Sequence, residues 1–141
     1  MSFQEKSAWI MALALIVTTG MCSWSVYEAS VAAGSLVSPS LSMISSYTLM
    51  LVVIVVVGQI VISIRSPKQA STPADEREID IERRSGYTSG WVIGIGVVSA
   101  LLNYLHWNDG DLLFYMVLGS TALSAIVDYV YRIVLHRSAL F

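Results

Sequence analysis

Four apolar stretches, separated by short polar segments, organise the chain. They cover residues 7–27, 43–64, 90–107 and 112–134. The hydrocarbon core of a bilayer is about 30 Å thick and needs roughly 20 helical residues to cross it, because lipid offers an open backbone no hydrogen-bond partner. The pattern therefore predicts an all-α integral membrane protein, in which a bundle of four transmembrane helices forms a single domain over residues 1–141.

A charged segment, Asp75 to Arg84, precedes the third apolar stretch with no turn signal between them. Thr72 and Pro73, just before it, are residue types favoured at a helix N-cap and at the first helical position. Asp75 would then lie in the first turn, where the positive end of the helix dipole stabilises carboxylates. We therefore predict that residues 73–89 extend the third helix out of the membrane.

The charges of this extension are spaced to pair along the helix. Arg77 lies three residues before Asp80, and Asp80 lies four residues before Arg84, so each pair shares a helix face. Exposed pairs of this kind contribute only about 0.3–0.5 kcal/mol. The extension is expected either to be solvated or to dock on another chain.

Three glycines follow at the entry to the third span. Gly86, Gly90 and Gly94 recur at four-residue steps and form two overlapping GxxxG units on one helix face. Each glycine costs a helix about 1 kcal/mol relative to alanine, and such a stripe lets two helix backbones approach closely. The spacing predicts an association face. Its partner is either another span of this chain or the same helix in a second copy.

The cations define the orientation. None of the eight Lys and Arg residues lies in the loops at 28–42 and 108–111. All eight lie on the opposite side of the four spans, at Lys6, Arg65, Lys68, Arg77, Arg83, Arg84, Arg132 and Arg137. The positive-inside rule therefore places both termini and residues 65–89 in the cytoplasm of a multi-pass protein, which we expect in a bacterial inner (plasma) membrane.

The first apolar stretch also has an alternative interpretation as a cleaved signal peptide ending near Val31-Ala32-Ala33. Signal peptides begin with a positively charged region. Here Glu5 neutralises Lys6, so a retained first span is favoured.

Composition supports the membrane assignment and narrows the partners. The chain is 55% hydrophobic and 13% charged, whereas about a quarter of the residues in soluble domains are charged. A net charge of -2 argues against nucleic-acid binding, which needs a cationic surface. The single cysteine, Cys22, allows neither an intrachain disulfide nor a CxxC motif. The expected partners are the lipid bilayer and either the protein itself or another membrane protein.

Polar residues inside the spans are candidates for a functional pathway. Gln59 breaks the second span and is expected to hydrogen-bond across helices. Asp128 lies near the cytoplasmic end of the fourth span, four residues before Arg132, and is expected to pair with it. The alternative is that Gln59, Asn103, Asp128 and Arg132 line a path for transport.

The hairpin between the third and fourth spans holds a second polar group. His106, Asp109 and Asp111, with Glu28, are weak candidates for a metal site. The favoured interpretation is a tight turn at 108–110 with Asp111 as the N-cap of the fourth helix. We expect no metal and no cofactor. Because no phosphate loop and no nucleophile–base motif is present, we expect no enzymatic activity, and an enzyme acting at this hairpin is only a distant alternative.

The charged segment also resembles a known family. Small bacterial and archaeal membrane proteins of an uncharacterised four-span family carry a cytoplasmic Asp-Glu-Arg motif just before the third span, followed by an isoleucine, an acid, a base and a small residue. The matching positions here are Asp75, Glu76, Arg77, Ile81, Glu82, Arg84 and Ser85. The resemblance implies the four-span fold and its place in the membrane, and the family has no established activity to carry over.

These observations lead to two functional hypotheses. The first is association, through Gly86, Gly90 and Gly94 in the bilayer and through the charged helix in the cytoplasm. The residues expected to serve the cytoplasmic contact are Asp75, Glu76, Arg77, Glu82 and Arg84. The second hypothesis is a small transporter or channel subunit that uses the polar residues of the spans.

Overall fold

The chain folds into four long helices. The computed structural model describes residues 3–65 and 75–138, and its helices are α1 (Phe3–Ala33), α2 (Leu41–Arg65), α3 (Glu76–Trp107) and α4 (Gly110–Ser138). Each is long and apolar enough to cross a membrane. The described residues contain no strand. The prediction of an all-α chain is confirmed, and each of the four predicted spans falls inside one of these helices.

The first helix is longer than predicted. The connection expected at 28–42 is confined to residues 34–40, because Ala- and Ser-rich sequence continues α1 to Ala33. Gly34 ends the helix in the left-handed region, at φ 71°, where glycine carries no steric penalty. The next helix is capped by Ser40, whose hydroxyl oxygen accepts a hydrogen bond from the Met43 N–H at 3.2 Å.

The start of α3 differs from the prediction. Asp75 is extended, at φ -73° and ψ 156°, so it is the N-cap and not a residue of the first turn. Its carboxylate accepts from the Glu76 N–H at 2.8 Å, and the Glu78 carboxylate accepts from the Asp75 N–H at 3.4 Å. Together with the bond from the N3 backbone to Asp75, these contacts form a capping box. The predicted cap and first position, Thr72 and Pro73, lie outside the described residues.

The α3–α4 hairpin is the predicted tight turn with a different cap. Asn108 is left-handed, at φ 54°, and its N–H donates to the Tyr104 carbonyl at 2.7 Å. Asp109, not Asp111, caps α4, because its Oδ1 accepts from the N–H groups of Asp111 and Leu112, each at 3.0 Å. The prediction of Asp111 as the cap is wrong because α4 begins at Gly110, two residues earlier than a cap at Asp111 would require.

The helices pack in the order α3, α4, α1, α2, so α1 and α4 lie in the middle and α2 and α3 at the edges. Consecutive helices run in opposite directions. We call the end that holds the start of α1 and the end of α4 the terminal end, and the opposite end the hairpin end.

Small residues bring α1 and α4 together. Ala8 and Ala12 are buried on α1 and pack against Ile133 of α4. Further along α1, Thr18 is buried and donates its hydroxyl hydrogen to the Ala14 carbonyl at 2.7 Å. Close packing through alanine and threonine is typical of helices in a bilayer, where association depends on van der Waals contact.

Candidate functional site

The glycines fall into two groups according to what surrounds them. Gly96 faces α4, and a Cβ built there would collide with the side chain of Ser120. Gly58 faces α1, and a Cβ there would lie 2.5 Å from Cγ2 of Ile10. Both glycines are therefore explained by helix packing inside the chain.

The predicted association face is different, because it packs on nothing in the described chain. A Cβ built at Gly86, Gly90 or Gly94 meets no side chain and no other helix within 4 Å. The spacing left open whether the partner of this face is another span of the chain or a second copy. No other described helix covers the stripe.

The three glycines instead form the floor of an open groove of about 730 Å³ along α3. Its wall is aromatic at one end, where Tyr87 and Trp91 are 71% and 61% exposed and meet edge to face at 6.4 Å. Ile95 and Val98 continue the wall. We call this surface the glycine face; it consists of apolar side chains beside bare backbone.

Some charged residues of the extension form ion pairs inside the chain. Arg84 pairs with Asp80 at 2.9 Å as predicted. The predicted pair between Arg77 and Asp80 does not form. Glu82 forms an ion pair with Arg132 of α4 at 3.3 Å, which ties the extension to the neighbouring helix.

The residues predicted to make a cytoplasmic contact therefore have unequal roles. Asp75 is occupied as the helix cap, and Glu82 and Arg84 have ion-pair partners. Within residues 75–138, Glu76 and Arg77 are exposed and make no ion pair with another described residue. They are the two members of the set that remain free for an external contact.

A polar cluster at the terminal end centres on Arg132. Its Nη2 donates to Asp128 Oδ2 at 2.9 Å, which confirms the predicted pair, and its guanidinium lies 5.3 Å from the centre of the Tyr129 ring. Asp128 Oδ1 and Arg132 Nε are buried and have no hydrogen-bond partner among the described residues. Such atoms are costly unless water or a ligand reaches them.

A cavity of about 280 Å³ opens beside this cluster. Ser7, Glu78, Arg132 and His136 are among its lining residues. The Ser7 hydroxyl oxygen accepts a hydrogen bond from Gln59 Nε2 at 2.7 Å, which confirms the predicted contact of Gln59 across helices.

The structure brings together only part of the predicted polar pathway. Gln59, Asp128 and Arg132 lie at the terminal end. Arg132 lines the cavity just described, Asp128 pairs with Arg132, and Gln59 bonds to Ser7 of the lining. Asn103 lies near the hairpin end of α3, whereas Ser85 lies toward its terminal end. At a rise of 1.5 Å per residue, the two residues are about 27 Å apart along the helix. No continuous row of these four side chains crosses the molecule.

Three of the four weak metal candidates have another contact. His106 lies against Trp107, with ring centres 5.0 Å apart. Asp109 caps α4, and Asp111 accepts a hydrogen bond from the Ser38 hydroxyl at 2.5 Å. Among the described residues, no group of three or more His, Cys, Asp or Glu side chains is placed to hold a metal ion.

Two contacts between the chain ends were missed from the sequence. Glu5 is buried, and its carboxylate accepts from Arg137 Nε at 3.5 Å. The Arg137 guanidinium also lies 5.5 Å from the centre of the Trp9 ring. An acid close to an apolar stretch was the available signal, but its partner is 132 positions away along the chain.

Fold and site define a helical protein compatible with multi-pass insertion, with one open apolar face and one polar cluster. Comparison of the chain with protein-family models, with curated proteins and with solved structures finds no match. Function is therefore inferred from these two surfaces.

Proposed function

We propose that the protein is a multi-pass inner-membrane protein with cytoplasmic termini that acts by helix association, and that a second copy of the chain docks on the glycine face. The observation that carries the proposal is that Gly86, Gly90 and Gly94 meet nothing within 4 Å. The one-sided distribution of Lys and Arg supports the location. The likeness of Asp75, Glu76 and Arg77 to the motif of the small four-span family supports it as well.

Energetics favour a partner helix over lipid on this face. Three glycines in place of alanines cost a helix about 3 kcal/mol, and lipid tails gain nothing from the missing methyl groups. A second helix does gain, because its backbone can come close enough for van der Waals and Cα–H···O contacts. The face is therefore shaped for a helix backbone.

A second copy suits this face because every copy inserts with the same orientation, so two α3 helices meet in parallel. Ile79 and Arg83 precede Gly90 by about three and two helical turns and continue its face beyond the bilayer. Ile79 is exposed, and Arg83 makes no ion pair with another described residue. In a parallel pair, each Arg83 would lie within reach of the second copy's carboxylates on the same extension.

The test is the oligomeric state of the full chain in lipid nanodiscs, measured by native mass spectrometry. Wild type is expected to be dimeric, and Gly90→Leu to be monomeric with the same helical content. Gly20→Leu is the matched control, because a Cβ at Gly20 on α1 also meets nothing within 4 Å. A wild-type monomer, or a dimer that Gly90→Leu leaves intact, would contradict the proposal.

The polar cluster favours a second candidate function, a small transporter or channel subunit that uses Gln59, Asp128 and Arg132. Asn103, near the hairpin end, lies outside this cluster. The unpartnered Asp128 Oδ1 and Arg132 Nε beside a cavity are the observation that supports it. Proteoliposome flux separates the two functions. An association module shows no flux above empty vesicles, whereas a transporter shows flux that Asp128→Asn reduces.

A further inference from the structure

An open pocket of about 660 Å³ lies between the charged extension of α3 and the last turns of α4. Its lining contains two arginines, two tyrosines, one threonine and one aspartate, at Asp80, Arg83, Arg84, Tyr87, Thr88 and Tyr131. We call it the Arg83 pocket. It shares no lining residue with the cavity beside Arg132.

The exposed aromatic residues of α3 indicate how deep this pocket lies in a bilayer. Tyr87 and Trp107 are 71% and 67% exposed, and no Asp, Glu, Lys or Arg lies between them. At 1.5 Å per residue they are about 30 Å apart, which is the thickness of the hydrocarbon core. Aromatic residues of spanning helices favour the two interfaces. Arg83 and Arg84, about 5 Å beyond Tyr87 along the helix, therefore reach the level of lipid phosphates.

The fourth helix contributes a tyrosine at the same level. Tyr131 precedes Arg132, and the ion pair of Arg132 with Glu82 fixes the height of this part of α4. Tyr131 is therefore about level with Arg83. Side chains in a helix lean toward its N-terminus, so in this antiparallel pair the rings of Tyr87 and Tyr131 lean toward each other. Among the described residues, neither tyrosine hydroxyl has a hydrogen-bond partner.

The charges of the lining indicate the ligand. Asp80 already pairs with Arg84 at 2.9 Å, whereas Arg83 makes no ion pair with another described residue. The pocket thus has one positive charge in excess. Guanidinium groups bind phosphate through paired N–H···O bonds. A zwitterionic headgroup would also bring a cation, and the lining offers it no carboxylate without a partner. A phosphate group with no accompanying cation is the better complement.

The pocket can be filled while a second copy occupies the glycine face. Thr88 is two residues from both Gly86 and Gly90, and residues two apart do not share a helix face. Thr88 and Arg84 instead lie on the flank of α3 that meets Tyr131. Because a guanidinium has five N–H donors, Arg83 at the border can contact a phosphate and a carboxylate of the second copy together.

We propose that the Arg83 pocket binds the phosphate of an anionic phospholipid. Arg83 and Arg84 donate to the phosphate oxygens, and the acyl chains enter the bilayer alongside α3 and α4. The proposal rests on the membrane insertion proposed above and not on the association of two copies.

The test compares two lipids that differ only in the headgroup. The full chain in a neutral detergent is titrated with dioleoylphosphatidylglycerol or with dioleoylphosphatidylcholine, and native mass spectrometry gives the dissociation constant of each lipid adduct. We expect phosphatidylglycerol to bind more tightly. Excess inorganic phosphate should not displace it, because the free ion lacks the acyl chains. Displacement would assign the pocket to a soluble phosphate and overturn the proposal.

Three variants locate the site. Arg83→Gln and Arg84→Gln should each weaken phosphatidylglycerol binding about fivefold, the value of one arginine at a membrane surface. Arg77→Gln is the matched control, since it removes the same charge from the same exposed extension. Arg77 lies about 9 Å farther from the bilayer than Arg83, beyond the Debye length of about 8 Å. Its loss should change the dissociation constant less than about twofold.

The outcomes separate this site from the association of two copies. Gly90→Leu should bind phosphatidylglycerol as the wild type does, and loss of binding in that variant would overturn the proposal. A monomeric wild type that prefers phosphatidylglycerol would contradict the proposed association alone. Equal binding of the two lipids, or an equal effect of Arg77→Gln and Arg83→Gln, would show general attraction between surface charges and overturn the lipid site alone.

Discussion

Two faces of α3 use small residues in opposite ways. On the side of α4, Ser85 and Ala100 are 0% exposed, and Ser89 accepts through its carbonyl a hydrogen bond from the Ser124 hydroxyl at 2.7 Å. On the glycine face, Gly90 and its neighbours along the stripe contact no other helix. The first face packs against α4, and the second contacts no other described helix.

The comparison shows that small-residue spacing does not identify the partner. Ser85 and Ser89 are four residues apart, and so are Gly96 and Ala100, yet these two pairs pack on α4. The more regular glycine stripe beside them does not. A helix with two small-residue stripes can serve one neighbour inside the chain and one outside it.

The largest effect is expected where a side chain is forced into the packed face. Gly96→Leu drives a branched side chain into Ser120 and should lower the free energy of unfolding in detergent by about 3 kcal/mol. Gly94→Leu, two residues away on the glycine face, is the matched control and should not lower it, because no helix packs there and leucine has a higher helix propensity than glycine. Equal losses from the two variants would remove the distinction between the faces.

Breaking the ion-pair cluster should have the next largest effect. Arg132→Met leaves Asp128 partly buried without its cation, and we expect a loss of about 2 kcal/mol. Because Glu82 also loses its link to α4, amides at the start of α3 should exchange faster with solvent. Adding Asp128→Asn should recover part of the loss, and an unchanged exchange rate in Arg132→Met would contradict the tethering role.

A single hydrogen bond on the packed face gives a smaller effect. Ser124→Ala removes the bond to the Ser89 carbonyl and should cost about 1 kcal/mol of unfolding free energy. Ser99→Ala is the control, since the Ser99 hydroxyl bonds only to Ile95 of its own helix and is exposed. If Ser99→Ala lowered the free energy of unfolding as much, the hydrogen bond between α3 and α4 would contribute no more to stability than a bond within one helix.

The smallest effect is expected on the solvated extension. Asp80→Ala removes an exposed ion pair with Arg84 and should change stability by no more than about 0.5 kcal/mol. The chemical denaturation midpoint of the monomer measures it. A loss above about 1 kcal/mol would mean that this pair does more than join two surface charges.

The four long apolar helices were predictable because crossing lipid requires a length and an apolar composition that are visible in any window of sequence. Local contacts were predictable for the same kind of reason. The four-residue spacing fixes Asp128 beside Arg132, and a lone glutamine such as Gln59 needs a partner inside lipid.

The features that could not be predicted from the sequence are of two kinds. In some, two nearby residues could fill the same role, and in others, the contacting residues lie far apart in the chain. Thr72 and Asp75 are both good caps, and only backbone geometry distinguishes the residue that begins α3. The same holds for Asp109 and Asp111. The bond between Tyr115 and Val37, 78 positions apart, had no local signal at all.

The central claim is that the glycine face meets a second copy of the chain, and cysteine crosslinking in native membranes tests it most directly. In a Cys22→Ser background, Gly90→Cys places one thiol on the glycine face, and Val53→Cys places one on the exposed side of α2 at the other edge. We predict an oxidised dimer from Gly90→Cys and little or none from Val53→Cys. No dimer from Gly90→Cys, or equal dimer from both positions, would contradict the account.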